Sequence, residues 1–276
     1  MEKQLSALVL AHRGFRGLVP ENTMPAARKA FEAGADYWEL DVAASSDEVL
    51  VVLHDESLER TTDARRRFPD RSPWSVYDFT FAELESLDAG SWYGETDPFG
   101  MIAAGRVGAP ELASFRALRI PTLREALEYT ARSGWKVNIE IKDATGKSCD
   151  AWIAERTAFL VQDLHMEDSV IISSFNHSYL IRTQKVAPRI RTAALIDRPL
   201  EDPVGTLRSL GAAALNPNVK YLDEPTVVAV RNAGLGVLVW TVNEVPDMRR
   251  LLAWGVTGLI TDFPDLGLEA VGREAR

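Results

Sequence analysis

The sequence predicts an α/β protein, and within that class a (β/α)8 barrel of the TIM type. Short apolar runs alternate with helical patterns through nearly all of the chain, and strands that alternate with helices imply a parallel sheet. Eight strand–helix units can be counted, and eight parallel strands close most simply into a barrel. The chain of 276 residues matches the roughly 250 residues that such a barrel needs.

The eight predicted strands share a short, nearly continuous apolar character, which is typical of strands buried on both faces. In chain order they are Ala7–Ala11, Tyr37–Val42, Lys136–Ile141, Ser169–Ser174, Thr192–Ile196, Ala212–Leu215, Gly236–Thr241 and Gly258–Thr261. A helical pattern follows each barrel unit, and Thr122 is a candidate N-cap for the second. The predicted helices are Met24–Ala33, Leu123–Ser133, Asp150–Leu164, Ser178–Val186, Val204–Leu210, Glu224–Ala233, Val245–Trp254 and a short one near Leu266–Arg273.

One apolar run, Val49–Leu53, does not fit this alternation. It begins seven residues after Val42, and a crossover to a parallel strand needs about a dozen residues or more. We therefore predict an antiparallel hairpin that brings His54 back beside Asp41. The next segment, from about residue 56 to residue 119, is rich in Arg, Asp, Gly, Pro and aromatic residues and has one short helical pattern at Phe81–Leu87. We interpret it as a small cap, inserted after the second strand of a single domain of residues 1–276.

Composition excludes several classes of protein. The net charge of −9, from 31 basic and 40 acidic residues, argues against a general nucleic-acid binder, which usually has a basic surface. The single cysteine, Cys149, cannot form an intrachain disulfide framework or a cysteine-based zinc site. The apolar run Leu5–Ala11 is too short for a signal peptide, and no run approaches the ~18 residues that span a bilayer. We therefore expect a cytoplasmic protein with no integral membrane segment.

Charged side chains cluster at the ends of three neighbouring predicted strands. Residues two apart on a strand share a face, and a charged face within an apolar strand costs free energy unless a metal or counter-ion meets it. Because barrel active sites lie at the carboxyl ends of the strands, these groups can converge. The clustered residues are His12 and Arg13 after the first strand, Glu39 and Asp41 on the second, Glu140 and Lys142 on the third, and His54 after the hairpin.

The residue types in this cluster indicate a chemistry. Three carboxylates without clustered cysteines suit a hard divalent cation, Mg²⁺ or Ca²⁺. Two histidines can serve as an acid–base pair near neutral pH. Arg13 and Lys142 could hold an anionic oxygen, and phosphate is the natural candidate. Together these groups favour phosphodiester cleavage.

Other residues are open to two interpretations. His165 follows a helix and is expected at the surface, whereas His177 could face the barrel mouth or simply begin a helix. The run Arg65–Arg67, with Arg60 and Arg71 nearby, is usually a solvated face, although it could steer an anionic substrate. Trp240 could form apolar wall or contact the substrate.

These residues belong to a series of motifs through which the chain resembles the glycerophosphodiester phosphodiesterases. The likeness extends over essentially the whole chain and keeps the order of the family. The motifs are Ala11–Gly14, Pro20–Thr23, Glu39–Val42, His54-Asp55, Arg60–Thr62, Leu87–Trp92, Pro121–Leu123, Glu140–Lys142, Ser173–Phe175, Trp240–Asn243 and Thr261–Pro264.

The resemblance implies a (β/α)8 barrel with an insertion after the second strand, and hydrolysis of a glycerophosphodiester to an alcohol and sn-glycerol 3-phosphate. It implies a divalent cation on Glu39, Asp41 and Glu140. It implies that His12 and His54 are the general acid and base. It implies phosphate contacts from Arg13 and Lys142. Glu21 and Asn22 are supporting residues of the same motif, so the predicted substrate-binding set is Arg13, Lys142, Glu21 and Trp240.

One segment departs from the family pattern. After Thr62 the family usually carries glycines, whereas this chain has Asp63–Phe68, which leaves the accepted alcohol open. A second enzyme hypothesis is a lysophospholipase D or lyase on the same barrel that releases a cyclic phosphate. A third hypothesis, a non-catalytic phosphate-binding module, is disfavoured because binding alone has little need of an acid–base pair.

Overall fold

The computed structural model describes residues 7–275 of the chain. Residues 1–6 and 276 of the predicted domain lie outside the described residues. They include the first two residues of the run Leu5–Ala11. The described strands are β1 Leu8–Ala11, β2 Tyr37–Ala44, β3 Leu50–Val52, β4 Val137–Ile141, β5 Val170–Ser174, β6 Arg191–Ile196, β7 Ala214–Pro217, β8 Gly236–Val239 and β9 Gly258–Thr261.

Eight of these strands close into a parallel barrel, and the predicted fold class is thereby confirmed. The sheet order is β1-β9-β8-β7-β6-β5-β4-β2-β3, and pairing of β1 with β2 closes the ring. The remaining strand, β3, pairs antiparallel with β2, with Val42 opposite Val52. The predicted hairpin is therefore present, and the Leu53 amide donates to the Asp41 carbonyl (3.1 Å).

Helices surround this barrel and complete the βα units. They are α1 Met24–Ala33, α6 Leu123–Arg132, α7 Ile153–Asp163, α8 His177–Val186, α9 Pro203–Leu210, α10 Glu224–Asn232, α11 Val245–Trp254 and α12 Pro264–Ala270. Four shorter helices lie in the insertion, at α2 Ala64–Arg67, α3 Phe81–Glu85, α4 Trp92–Thr96 and α5 Ala109–Ser114.

Most predicted boundaries agree with these elements to within one or two residues. The helix predicted from Asp150 begins instead at Ile153, because the Asp150 amide donates to Lys147 in a preceding turn (3.1 Å). The strand predicted at Ala212–Leu215 lies two residues further along, at Ala214–Pro217. This shift places Asn216 inside the barrel strand.

Local sequence explains where the helices begin and end. Thr23 caps α1, and the left-handed Gly34 (φ 92°) ends it, since glycine adopts that conformation without strain. Thr122 and Glu125 form a capping box at the start of α6. Gly14 (φ 80°) has no room for a Cβ, which would lie 2.6 Å from the Ala26 backbone, so the turn after β1 stays tight against α1.

The insertion packs on the rest of the chain through the main core. Its Phe79 and Tyr93 are fully buried and belong to the same apolar cluster as the barrel-facing helices. The Tyr93 hydroxyl donates to the Gly17 carbonyl in the loop after β1 (2.7 Å). The insertion is thus anchored beside the carboxyl ends of β1 and β2. Within residues 7–275 we find no helix with the length and apolar character to cross a membrane.

A second apolar cluster, which we term the plug, fills the barrel interior. It consists of the inward-facing side chains Leu10, Tyr37, Ile171, Ala193, Ala214, Leu238 and Ile260, all of them buried. The plug closes the barrel, as expected for a packed TIM interior. Polar residues two positions further along the same strands therefore stand at the base of the barrel mouth.

Candidate active site

Three buried carboxylates converge at the mouth of the barrel. Glu39 and Asp41 on β2 and Glu140 on β4 each offer an oxygen, and these oxygens lie within 4.8 Å of one another. The strand register causes this convergence, because Asp41 stands directly opposite Glu140. Their exposed fractions are only 3%, 1% and 8%. The arrangement brings together the three residues predicted to hold a divalent cation.

The electrostatics of this trio suit a bound cation. Burial, with the charges of Asp41 and Glu140, raises the pKa of Glu39 well above its usual range. Burial likewise raises the pKa of Glu140, against the opposing charge of Lys142. For Asp41 burial is outweighed by the charges of Arg13 and Lys142, so its pKa is lowered. Oxygen ligands crowded in this way favour a hard divalent cation, which relieves the repulsion among them.

Two cations flank the trio. The Lys142 ammonium donates to Glu140 and lies 3.4 Å from Asp41. The Arg13 backbone amide donates to Glu39 (2.9 Å), and its guanidinium Nε lies 3.3 Å from Asp41. The Asn22 amide also donates to Asp41 (2.8 Å). These contacts hold the carboxylates in place.

His12 is held by an aspartate that sequence analysis did not assign. Its Nδ1 lies 2.7 Å from Asp262 Oδ1, at the end of β9, and the Asn243 amide donates to the other oxygen of Asp262 (2.7 Å). Burial opposes the ionisation of Asp262, but the His12 charge and hydrogen bond outweigh it, so its pKa falls to about 2. An ionised carboxylate accepts from Nδ1–H, which leaves Nε2 unprotonated in the neutral ring.

The environment of His12 predicts a pH-dependent loss of stability. Burial, with the nearby Arg13 charge, lowers the His12 pKa from 6.5 to about 4. Between these values the unfolded chain binds a proton that the folded chain does not, so this residue destabilises the fold as the pH falls. Between pH 7 and pH 5 this residue alone lowers the free energy of unfolding by about 2 kcal/mol. Urea unfolding with EDTA present should show that His12→Gln loses about 2 kcal/mol less than the wild type over this interval, and equal losses would contradict the prediction.

His54 also has an aspartate partner. Its Nδ1 hydrogen bonds to Asp55, and Asp55 also accepts from the Arg60 Nε. Burial opposes ionisation of Asp55, but the hydrogen bonds from His54 and Arg60 lower its pKa. The His54 side chain remains 30% exposed, so it lies nearer to solvent than His12.

A continuous series of ion pairs links the two histidines. We term it the charge belt, and its members are Asp262, Arg16, Glu21, Arg60 and Asp55. Arg16 lies 3.4 Å from Asp262 and 3.0 Å from Glu21. Arg60 donates both terminal nitrogens to Glu21 (2.7 and 3.0 Å) and its Nε to Asp55.

Glu21 stands at the centre of the belt. Arg13 also donates to it (2.8 Å), so its carboxylate binds three arginines. Burial opposes its ionisation, but the Arg60 hydrogen bonds and the Arg13 charge lower its pKa. These contacts favour an organising role for Glu21, and its predicted contact with substrate stays a prediction.

His12 and His54 line one pocket at the mouth of the barrel. Three charged residues, Arg13, Glu39 and Glu140, line it with them. The lining also includes Trp240, which packs edge-to-face on Phe175 with ring centroids 5.5 Å apart. A lining that combines charged and aromatic side chains suits a small polar molecule with a hydrocarbon backbone.

The structure shows where the histidines and arginines lie that the sequence left open to two interpretations. His165 is exposed, and His177 begins α8, where its Nε2 hydrogen bonds to the Leu195 carbonyl (3.0 Å). In the arginine run, Arg65 and Arg66 are 71% and 81% exposed. Arg60 does not belong with them, because it reaches a buried carboxylate. A sequence pattern of neighbouring arginines cannot show this, since the partner, Glu21, is 39 residues away.

The fold and the site together define a (β/α)8-barrel enzyme of the phosphodiester hydrolase class. The family model for the glycerophosphoryl diester phosphodiesterase family matches residues 12–266. A glycerophosphodiester phosphodiesterase of Caldanaerobacter subterraneus is 36% identical over 95% of this chain and 96% of its own. One from Bacillus subtilis is 32% identical over 94% of this chain and 84% of its own.

Solved structures agree with this relationship. A phosphodiesterase of Oleispira antarctica, in complex with the product sn-glycerol-3-phosphate, has a TM-score of 0.78 and 27% identity, covering 96% of both chains. The chain belongs to the glycerophosphoryl diester phosphodiesterase family, and the resemblance seen in its motifs is confirmed.

Proposed function

We propose that this protein hydrolyses glycerophosphodiesters to an alcohol and sn-glycerol 3-phosphate, and that it requires Mg²⁺ or Ca²⁺. One observation carries the proposal: two aspartate-anchored imidazoles line the same pocket as Glu39 and Glu140, two members of the buried carboxylate cluster. The named relatives and the product bound to the Oleispira antarctica enzyme support the choice of substrate.

The cation would be held by Glu39, Asp41 and Glu140. When bound, it would polarise the phosphoryl group and neutralise charge that develops there. Arg13 and Lys142 contribute fixed positive charge beside the same oxygens. These side chains would orient the phosphate and stabilise its negative charge as the reaction proceeds.

The imidazoles move the protons. Cleavage breaks the bond between phosphorus and the leaving alcohol oxygen, as an attacking hydroxyl or water loses a proton to one histidine and the other histidine protonates the leaving oxygen. Asp262 and Asp55 hold the Nδ1 atoms, so each Nε2 is available to the pocket. Burial keeps His12 unprotonated near neutral pH, which favours it as the proton acceptor.

We also propose that residues 56–119 form a cap that borders the site and selects the alcohol group. Arg60 in this segment and Asp55 immediately before it belong to the charge belt, so the cap is joined directly to the catalytic groups. The cytoplasmic location that the sequence favours stays a prediction.

The direct test is hydrolysis of glycerophosphocholine by the metal-free protein and after addition of Mg²⁺ or Ca²⁺. We expect activity to be lost with EDTA and restored by at least one of these ions, because the carboxylate cluster repels itself without a cation. Phosphorus NMR identifies the product. A cyclic phosphate as the final product would favour the lyase hypothesis, and full activity in EDTA would contradict the metal requirement.

A further inference from the structure

Arg16 shares the aspartate that anchors His12. Its Nη1 lies 3.4 Å from Asp262 Oδ1, the same oxygen that bonds to His12 Nδ1 at 2.7 Å. Its Nη2 lies 3.0 Å from Glu21, so one guanidinium bridges two carboxylates of the charge belt. Arg16 lies outside all the motifs through which the chain resembles its family. Its role beside His12 must therefore be inferred from the structure.

The other oxygen of Asp262 is held from a second direction. The Asn243 side-chain amide donates to Oδ2 (2.7 Å), and the Asn243 side-chain oxygen accepts from the Asp262 backbone amide (3.0 Å). The carboxylate is therefore held at Oδ2 by Asn243 and at Oδ1 by His12 and Arg16. Because a carboxylate oxygen can accept from two donors, Arg16 restrains Oδ1 without displacing His12.

An aromatic side chain of the insertion covers Arg16. The guanidinium carbon lies 5.2 Å from the centre of the Phe99 ring, which is within the range of a cation–π contact. Phe99 packs edge-to-face on Phe263, with ring centroids 5.6 Å apart, and Phe263 directly follows Asp262 in the chain. The planar guanidinium is thus held at its edge by carboxylates and on its face by Phe99.

The backbone beside Arg16 is fixed as well. The Gly17 amide donates to the Asp262 carbonyl (2.9 Å), and the Gly17 carbonyl accepts from the Tyr93 hydroxyl of the insertion. A Cβ at residue 17 would lie 2.5 Å from the Phe263 ring, so only glycine permits this close approach. The loop after β1, the end of β9 and the insertion therefore meet around Arg16.

We propose that Arg16, held by Phe99, is a positioning residue that fixes the Asp262 carboxylate for His12. The inference rests on the proposed function, in which His12 takes a proton through Nε2. Asp262 orients the imidazole through Nδ1, and a carboxylate that was free to rotate would let the ring turn away from the substrate. Arg16 is not among the described residues that line the pocket, so it acts through Asp262 and not on the substrate.

The test measures kcat and KM for glycerophosphocholine with Mg²⁺ or Ca²⁺ in Arg16→Met, which keeps the aliphatic part of the side chain. We expect kcat to fall by about 10–100-fold, because a misplacement of about 1 Å at a catalytic group can cost this much. KM should change by less than about twofold. In an Asp262→Asn background, Arg16→Met should lower kcat further by less than about twofold, because both residues act through one contact.

Phe99→Leu tests the aromatic contact and leaves every charge in place. We expect kcat to fall by about threefold or more, because the cation–π contact is lost. Added to Arg16→Met, the same substitution should have almost no further effect on kcat, since its partner is already absent. This variant keeps the inference testable even where Arg16→Met does not fold.

Arg182→Met is the matched control. Arg182 on α8 also pairs with a carboxylate, that of Glu155, and lies over an aromatic ring, that of Tyr179 (5.3 Å). Its side chain is 25% exposed, against 19% for Arg16. This variant should keep the wild-type kcat, because Arg182 contacts neither Asp262 nor the pocket among the described residues.

Three results would overturn the inference and leave the proposed function standing. They are an unchanged kcat in both Arg16→Met and Phe99→Leu, a loss expressed in KM with kcat unchanged, and losses that multiply when Arg16→Met is combined with Asp262→Asn. A wild type that does not hydrolyse glycerophosphocholine with Mg²⁺ or Ca²⁺ would overturn the proposed function and this inference with it.

Discussion

Replacement of His12 or His54 by alanine is expected to lower kcat for glycerophosphocholine by about 10²–10⁴-fold, the usual contribution of a positioned acid or base. Each imidazole is anchored through Nδ1 to its own aspartate and lines the pocket that contains Glu39 and Glu140. Neither lies among the carboxylates proposed to bind the cation. The affinity for Mg²⁺ or Ca²⁺, measured by calorimetry, should therefore change much less than kcat.

His165→Asn is a suitable control for this pair. His165 is exposed and has a left-handed backbone (φ 55°), which asparagine accepts more readily than alanine does. This variant should keep wild-type activity. Retained turnover in either His12→Ala or His54→Ala, with the metal present, would contradict the proposed acid–base pair.

Loss of Glu21 is expected to give the largest change in stability. Its carboxylate neutralises Arg13, Arg16 and Arg60, and without it three guanidinium groups face one another. Removal of one partner from a buried charge cluster costs about 3–5 kcal/mol. The Arg60 side chain is 41% exposed and can turn to water, whereas Arg13 and Arg16 are only 10% and 19% exposed, so we expect Glu21→Ala to lose about 3 kcal/mol in urea unfolding.

A matched acidic residue at the surface separates this effect from the simple loss of a carboxylate. Glu59 pairs with Arg65, and their side chains are 36% and 71% exposed. Glu59→Ala should therefore cost no more than about 1 kcal/mol. If Glu21→Ala and Glu59→Ala had similar unfolding midpoints, the charge belt would not have the proposed stabilising role.

The barrel and its acidic trio could be predicted from the sequence, because both follow from the spacing of residues that are close together along the chain. Side chains alternate along a strand, so the spacing of Glu39 and Asp41 alone places them on one face. The seven-residue interval before Val49 likewise excludes a crossover and predicts the hairpin that returns His54. Neighbouring strands in a parallel barrel then bring Glu140 beside them.

The partners of His12 and Arg60 could not be predicted in this way. Asp262 is 250 residues from His12, and Glu21 is 39 residues from Arg60. Nothing in the spacing of such residues distinguishes a buried ion pair from two solvated charges. Arg60 was grouped with a solvated arginine run for this reason, although it pairs with a buried carboxylate.

By itself the sequence determined the fold class, the hairpin, the family and the residue types at the barrel mouth, since each follows from local periodicity or from motifs along the chain. Only the tertiary structure decided which charges neutralise one another and which polar groups remain unpaired. Pairing of β1 with β9 brings Asp262 to His12, and the register of β7 places Asn216 in the pocket. Hydrogen bonding and burial depend on distances through space, which the linear order of residues does not specify.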